Sequence, residues 1–141
     1  MAEMASLDTS TDRGKHVQER LKTDKIAWLT TVRPNGQPDS VPVWFLWDGE
    51  TILIYSKPDA PKIRNLDGNP HVSVTVDDTK GGGDVIRVEG TAEVVDGYPL
   101  GTEVPAYMEK YGTDITYIGY DADSFAKAYG AAIVVTPTRY R

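Results

Sequence analysis

The chain has 141 residues, the length of one ordinary domain, and 40% of them are hydrophobic, which is enough for a core and excludes a disordered chain. A net charge of −6 argues against broad nucleic-acid binding, and no run approaches the roughly 20 apolar residues of a membrane helix. The absence of cysteine excludes disulfides, thiolate metal sites and cysteine nucleophiles.

The beginning of the chain is polar and acidic, without an apolar run behind a basic start. We therefore expect no secretory signal and a cytoplasmic protein. Residues 1–10 are predicted to be a flexible tail and 11–141 a single domain. A short helix is predicted from residue 11 to about 23, because Val17 and Leu21 share one face and Thr11 or Asp12 suits its cap.

Three strands are predicted next, at 26–32, 40–47 and 51–56, with turns at Asn35-Gly36 and Asp48-Gly49. Their short connections predict an antiparallel meander. Pro42 lacks an N–H donor, so its strand belongs at a sheet edge or bulge. Alternation within 40–47 predicts that Trp44 and Leu46 share one face, and that Phe45 and Trp47 share the other.

The second half of the chain alternates between predicted helices and strands. A helix of about two turns is expected up to Gly68, with Asp59 as its cap and Pro61 in its first turn. Strands are predicted at 71–76, 85–95 and 131–136, a polar loop at 77–83, helices at 99–112 and 121–130, and a tail at 137–141. The fold class predicted from this order is mainly β, a small closed or partly closed six-stranded antiparallel β-barrel with short peripheral helices.

The sharpest candidate for binding chemistry lies between Ser56 and Asn65. Lys57, Lys62 and Arg64 bracket a predicted helix start, where free N–H groups and partial positive charge already favour an anion. This pattern is typical of a phosphate site. A solvated, charged turn is the alternative that the spacing leaves open.

Aromatic residues form a second candidate. The segment Trp44-Phe-Leu-Trp47 lies beside Trp28 in the predicted sheet, and a groove walled by a Trp and strand backbone suits an isoalloxazine-like ring. The alternative is that one face of this strand fills the barrel and the other fills a dimer interface.

Motifs for other chemistry are missing from the sequence. It contains no dinucleotide-binding or phosphate-loop glycine pattern and no Gly-x-Ser-x-Gly elbow, and His16 and His71 are too far apart for metal-ligand spacing. We predict no metal site and assign no catalytic side chain. The lack of these motifs favours an enzyme whose cofactor, rather than a side chain, performs the difficult chemical step.

Several ordered segments together resemble a known family. They are Ala27-Trp-Leu-Thr-Thr-Val-Arg-Pro-Asn-Gly-Gln-Pro38, Val41-Pro-Val-Trp-Phe45, Tyr55-Ser-Lys57 and Lys62-Ile-Arg-Asn-Leu66. The chain resembles the pyridoxamine 5′-phosphate oxidase-like flavin and deazaflavin enzymes, most strongly across residues 26–76. Its short form, ending in Thr-Pro-Thr-Arg-Tyr-Arg, is similar to actinobacterial proteins that use the deazaflavin coenzyme F420.

The resemblance implies a split β-barrel, usually a homodimer with the cofactor site at the subunit interface. It implies that the cofactor phosphate is held, with help from Ser56, by four residues, namely Lys57, Lys62, Arg64 and Asn65. It implies that the ring is lined by Thr30, Thr31, Val43 and Trp44. The partner subunit is expected to close the site through residues such as Arg139 and Tyr140.

The implied function is an F420-dependent oxidoreductase that transfers a hydride between the deazaflavin and an unidentified small organic acceptor. The alternatives are an FMN-binding oxidoreductase of the same fold and a non-catalytic carrier of flavin, F420 or haem. Vitamin B6 oxidase activity is not expected, because no counterpart of the family's extra C-terminal residues aligns. The anionic tail of F420 requires a basic path, for which Arg13, Lys15 and Arg33 are the candidates.

Overall fold

The computed structural model describes residues 4–77 and 80–141. Its strands are β1 Ala27–Val32, β2 Pro38–Val43, β3 Leu46–Trp47, β4 Ile52–Ser56, β5 His71–Val76, β6 Ile86–Val95 and β7 Ala131–Tyr140. Its helices are α1 Asp12–Thr23, α2 Pro61–Gly68, α3 Pro105–Tyr117 and α4 Ala122–Ala128, with a 3₁₀ turn at Gly101–Glu103. Within the described part of the chain, no helix has the length and apolar character needed to cross a membrane.

The strands form one antiparallel sheet in the order β2-β1-β5-β6-β7-β4-β3, which curls into a split barrel. The predicted fold class is therefore confirmed, although the strands number seven among the described residues rather than six. The pairings of the predicted meander are present, because β1 pairs with β2 and β3 pairs with β4, but the middle strand is divided into two, and β4 also pairs with β7. The edge position predicted from Pro42 is confirmed, since β2 ends the sheet.

The predicted strand 40–47 is interrupted at Trp44 and Phe45, and this break separates β2 from β3. The N–H of Phe45 donates to the hydroxyl of Tyr111 on α3 at 2.9 Å, and the Lys110 amine donates to the carbonyl of Phe45 at 2.8 Å. Side chains of α3 thus replace the sheet partners that the backbone gives up here.

The last strand is longer than the predicted 131–136, and residues 137–140 are not a tail. Pro137 offers no N–H to the ladder, yet β7 continues, because the register with β6 shifts between Glu89 and Gly90. Gly90 pairs with Pro137, and a Cβ on Gly90 would lie 2.4 Å from the carbonyl oxygen of Thr136. Only glycine allows the strands to approach so closely.

Buried side chains form two clusters on opposite faces of the sheet. The larger one fills the barrel and contains Phe45 and Trp47, while Trp44 and Leu46 pack against a second cluster under α3 and α4. The predicted division of the four residues between two faces is therefore correct. The Trp44 face is covered by helices of the same chain.

The helix predictions are correct at some ends and wrong at others. Thr11 caps α1, accepting from the N–H of Gly14 at 3.0 Å, and Pro61 opens α2. Asp59 is not the cap of α2, because that position is Ala60 and carries no side-chain hydrogen bond. The helix expected at 99–112 begins and ends later than predicted. It is α3, which starts at Pro105, and Gly101–Glu103 ahead of it forms only a 3₁₀ turn.

Two other predicted segments are described only in part. Residues 1–3 of the expected tail, and Asp78 and Thr79 of the loop, lie outside the described residues. Within the remainder, the N–H of Ala5 donates to the carbonyl of Pro137 at 2.8 Å, so this part of the expected tail contacts β7.

Candidate functional site

The turn that leaves β4 is built to present its side chains beside α2. The Ser56 hydroxyl is buried and donates to the carbonyl of Lys57 at 2.9 Å, and the N–H of Ala60 donates to the same carbonyl at 3.1 Å. These bonds shape the turn immediately before Pro61 begins α2. Ser56 thus acts on the backbone of the turn.

The structure places the three predicted cations around this turn. Lys57 holds its amine 5.6 Å from the ring centroid of Tyr129, and Lys62 is half-buried on α2. Arg64 is exposed on the same helix. Across residues 4–77 and 80–141, none of the three side chains makes a hydrogen bond or ion pair.

Burial lowers the pKa of Lys62, and the nearby charge of Asp39 raises it in part. A half-buried ammonium without a carboxylate bonded to it pays a desolvation cost that a bound anion would offset. Lys62 is the clearest electrostatic sign of an anion site in this region.

Asn65 and Thr31 meet in the interior, where they connect α2 to β1. The Asn65 side-chain amide donates to the Thr31 hydroxyl at 2.9 Å, and both residues are buried. Thr30 lies on the opposite face of β1 and pairs with the Ser40 hydroxyl at 2.6 Å. The structure therefore separates the two threonines that were predicted together as ring-lining residues.

An aromatic pocket of about 290 Å³ lies between the sheet and the α3–α4 region. Val43, Trp44 and Lys62, all predicted site residues, line this pocket. The rest of its wall includes Tyr55 on β4 and three aromatic residues of the helical region, namely Tyr107, Phe125 and Tyr129. The structure thus brings the predicted ring-lining residues Val43 and Trp44 together with one predicted phosphate-binding residue.

Trp44 already stacks on rings of its own chain. Its indole lies 4.8 Å from the Tyr111 ring with an interplanar angle of 6°, and 5.6 Å from the Phe125 ring at 25°. The Tyr111 hydroxyl donates to the carbonyl of Lys25 at 2.6 Å and accepts from the N–H of Phe45. Tyr111 therefore fixes both the backbone at the break and the orientation of the indole.

A polar cleft of about 420 Å³ lies beside the aromatic pocket, lined by Arg33, Asp39, Arg64 and Asn65 among others. Arg33 approaches Asp39 at 3.5 Å. Asp39 also acts on the pKa of Lys62, which in turn lines the aromatic pocket. Pro61 lines the cleft and the next residue, Lys62, lines the pocket, so the two hollows are close to each other.

The other candidates for the basic path lie elsewhere. Arg13 donates to the carbonyl of Val85 at 3.1 Å and lies 3.7 Å from Asp84, and Lys15 is exposed on α1. Of the residues expected from a partner, Arg139 is exposed and the Tyr140 hydroxyl accepts from the Trp47 indole N–H at 3.2 Å.

Sequence reasoning missed the pocket wall supplied by the helical region, namely Tyr107, Phe125 and Tyr129, and it also missed Tyr111, which stacks on Trp44. The available signal was a spacing of four between two pairs of aromatic residues, 107 with 111 and 125 with 129, which places each pair on one helix face. That spacing predicts a packed face, but it does not show which sheet face the helices cover.

The sequence pattern of the family described as "Pyridoxamine 5'-phosphate oxidase" matches residues 14–141, nearly the whole chain. The chain belongs to this family. The resemblance derived from the residues of β1 to α2 is therefore confirmed. Among curated proteins, no sequence matches the chain.

Solved structures show the same fold as this member of the pyridoxamine 5′-phosphate oxidase family. One titled "F420 Reductase" is 28% identical with a TM-score of 0.68, covering 88% of this chain and 94% of its own. A FAD-binding protein from Mesorhizobium loti is 18% identical with a TM-score of 0.63, covering 89% and 90%. The haem storage protein HutZ from Vibrio cholerae is 16% identical with a TM-score of 0.63, covering 96% and 92%.

Proposed function

We propose that the protein is an oxidoreductase that uses coenzyme F420 and transfers a hydride between this deazaflavin and a small organic acceptor. The observation that carries the proposal is the half-buried Lys62, which lines an aromatic pocket and has no bonded carboxylate among the described residues. The similarity to a solved F420 reductase over 88% of this chain supports F420 as the first choice of cofactor.

The residues around α2 fit the anionic part of such a cofactor. Lys57, Lys62 and Arg64 supply positive charge that no described residue neutralises by an ion pair. Charge-assisted hydrogen bonds from ammonium and guanidinium groups to phosphate are among the strongest in proteins. Ser56 and Asn65 help to position these three side chains. The hydrogen bond of Ser56 shapes the turn, and that of Asn65 attaches α2 to β1.

The acidic chain can accommodate an anionic tail through the polar cleft. Arg33 and Arg64 line this cleft, and its one acidic lining residue, Asp39, faces Arg33. A local basic surface can attract an anion even when the net charge of the protein is −6. Of the three residues predicted for the basic path, Arg33 is the one whose position supports that role.

When bound, a reduced deazaflavin supplies a hydride from its C5 carbon to an electron-poor acceptor, and water supplies the completing proton. The protein contributes binding and orientation. Val43 and Trp44 form an apolar wall beside Lys62, and the rings of Tyr107 and Phe125 extend this wall. Holding two reactants in place in this way is a large source of rate enhancement.

We further propose that the protein is a homodimer with the site at the subunit interface. Ile26 and Pro42 line the aromatic pocket, and Ile26 is 44% exposed. The next outward residue, Trp28, is 46% exposed and pairs in register with Pro42. An exposed tryptophan next to a pocket mouth favours a surface that a second copy covers.

A titration with F420 and with FMN, followed by turnover of the reduced cofactor under anaerobic conditions, tests the function. We expect micromolar or tighter binding of F420, weaker binding of FMN, and oxidation of reduced F420 by at least one member of a panel of conjugated acceptors. Tight binding without turnover on any acceptor would instead identify a carrier. Preferential binding of FMN would replace F420 by the runner-up cofactor.

A further inference from the structure

One tyrosine that lines the aromatic pocket has a hydroxyl without a hydrogen-bond partner among the described residues. Tyr107 is 1% exposed and lines the pocket, yet its hydroxyl makes no hydrogen bond with any residue in 4–77 or 80–141. Its neighbours differ, because the Tyr55 hydroxyl donates to the carbonyl of Pro99 at 2.6 Å and Tyr111 is bonded as described above. Because this O–H belongs to a pocket-lining residue and is not used within the chain, it is available to bond a molecule in the pocket.

The surroundings keep this hydroxyl in its protonated form. Burial raises the pKa of Tyr107 far above its ordinary value, and the nearby Tyr111 and Tyr55 hydroxyls raise it further. Near neutral pH the group is therefore a neutral O–H, which can donate a hydrogen bond to an oxygen of a ligand.

The dimensions and lining of the pocket limit what it can accept. A volume of about 290 Å³ is near the lower end of small-molecule sites. Flat rings of Trp44, Phe125 and Tyr129 form much of its wall, and Lys62 is its one charged lining residue within the described chain. A flat, apolar molecule of two or so rings suits this space, whereas a cofactor with several anionic groups does not.

Resting on the proposed function, we propose that the aromatic pocket is the acceptor site and that Tyr107 holds an oxygen of a small, planar, uncharged ring compound. The polar cleft with Arg33 and Arg64 remains for the anionic part of the cofactor. Because Lys62 lines the pocket and the preceding residue, Pro61, lines the cleft, an acceptor in the pocket is close to the cations proposed to hold the cofactor.

Binding to the cofactor-free protein tests this assignment. The probes are chromone, a flat two-ring ketone, and naphthalene, which has a similar shape but no oxygen, with affinities measured by ligand-observed NMR. Tyr107→Phe keeps the ring and removes the hydroxyl, and Tyr98→Phe, outside this pocket, is the matched control. Unfolding temperatures establish that each variant remains folded, and F420 affinity is measured for all three proteins.

We expect Tyr107→Phe to raise the Kd of chromone five- to tenfold and to leave naphthalene and F420 unchanged. Equal loss of both probes, or no loss of either, would overturn the role of the hydroxyl. Weakened F420 with unchanged chromone would assign the pocket to the cofactor and overturn the acceptor site, while the proposed function would stand. Failure of F420 to bind any of the three proteins would contradict the function itself.

Discussion

Lys110 on α3 is a lysine in an unusual environment. Its amine donates to the carbonyl of Phe45 at 2.8 Å and lies 3.8 Å from the centroid of the Phe45 ring. Burial lowers its pKa to about 8, the charge of Lys25 lowers it too, and Asp24 opposes the shift. Keeping Lys110 charged therefore lowers the free energy of unfolding of the protein.

This shift predicts a pH dependence of stability. Between pH 8 and about 10.5 the unfolded chain holds the Lys110 proton more tightly, so the free energy of unfolding rises with pH through this window. Below pH 8 the contribution of Lys110 to the free energy of unfolding does not change with pH, because both states hold the proton. In urea titrations at pH 7.5 and 9.5, wild type should gain about 1 kcal/mol relative to Lys110→Met, after allowing for solvent screening. Lys127→Met changes an exposed residue of α4 and is the control, so its free energy of unfolding should change with pH as wild type does. An equal change with pH in both variants would contradict the role of Lys110.

Gly14 and Arg20 show where single residues could not be predicted from the sequence. A glycine inside a helix ordinarily lowers its stability, but a Cβ at Gly14 would lie 1.7 Å from the carbonyl oxygen of Asp8, so the close approach requires glycine. Arg20 is a charged residue of α1, yet it is 7% exposed and forms ion pairs of 2.7 Å with both Asp24 and Asp84. Asp84 is distant in sequence, so helix periodicity alone does not reveal this contact.

At the level of elements, local patterns predicted the positions and long-range contacts decided the ends. The alternation of Val72, Val74 and Val76 places β5 correctly, because all three are buried. The break at Trp44 and Phe45 could not be predicted, since the bonds that stabilise it come from α3. The continuation of β7 past Pro137 likewise depends on Gly90 in another strand.

The outward face of β1 leads to a prediction about assembly. Trp28 pairs in register with Pro42 and Thr75, so a large exposed ring stands among smaller side chains of the neighbouring strands. We expect wild type to have twice the mass of the 15.5 kDa chain by light scattering, and Trp28→Lys to shift toward the monomer. Tyr117→Lys is the control, because Tyr117 is exposed at the far end of α3. A Trp28→Lys protein that remains dimeric would reject this face as the interface.

At the scale of the whole molecule, the sequence was sufficient for the fold class and the family but not for the connectivity. Short turns predicted the antiparallel pairings that β1 makes with β2 and β3 makes with β4, but they did not predict that curling of the sheet places β4 beside β7, the last strand. The candidate site was likewise predictable only where its residues are close in sequence. Residues close in sequence around α2 were predicted as a group, while the pocket wall contributed by Tyr107 and Phe125 depends on how the helices fold back.

The central claim is that the cations around α2 hold the anionic group of a planar redox cofactor. The most direct measurement is the Kd of F420 for wild type, Lys62→Gln and the control Lys15→Gln, whose residue is exposed on α1. Loss of a charge-assisted bond of about 1.5–3 kcal/mol predicts at least a tenfold rise in Kd for Lys62→Gln and almost none for Lys15→Gln. Equal affinity of all three folded proteins for F420 would contradict the account.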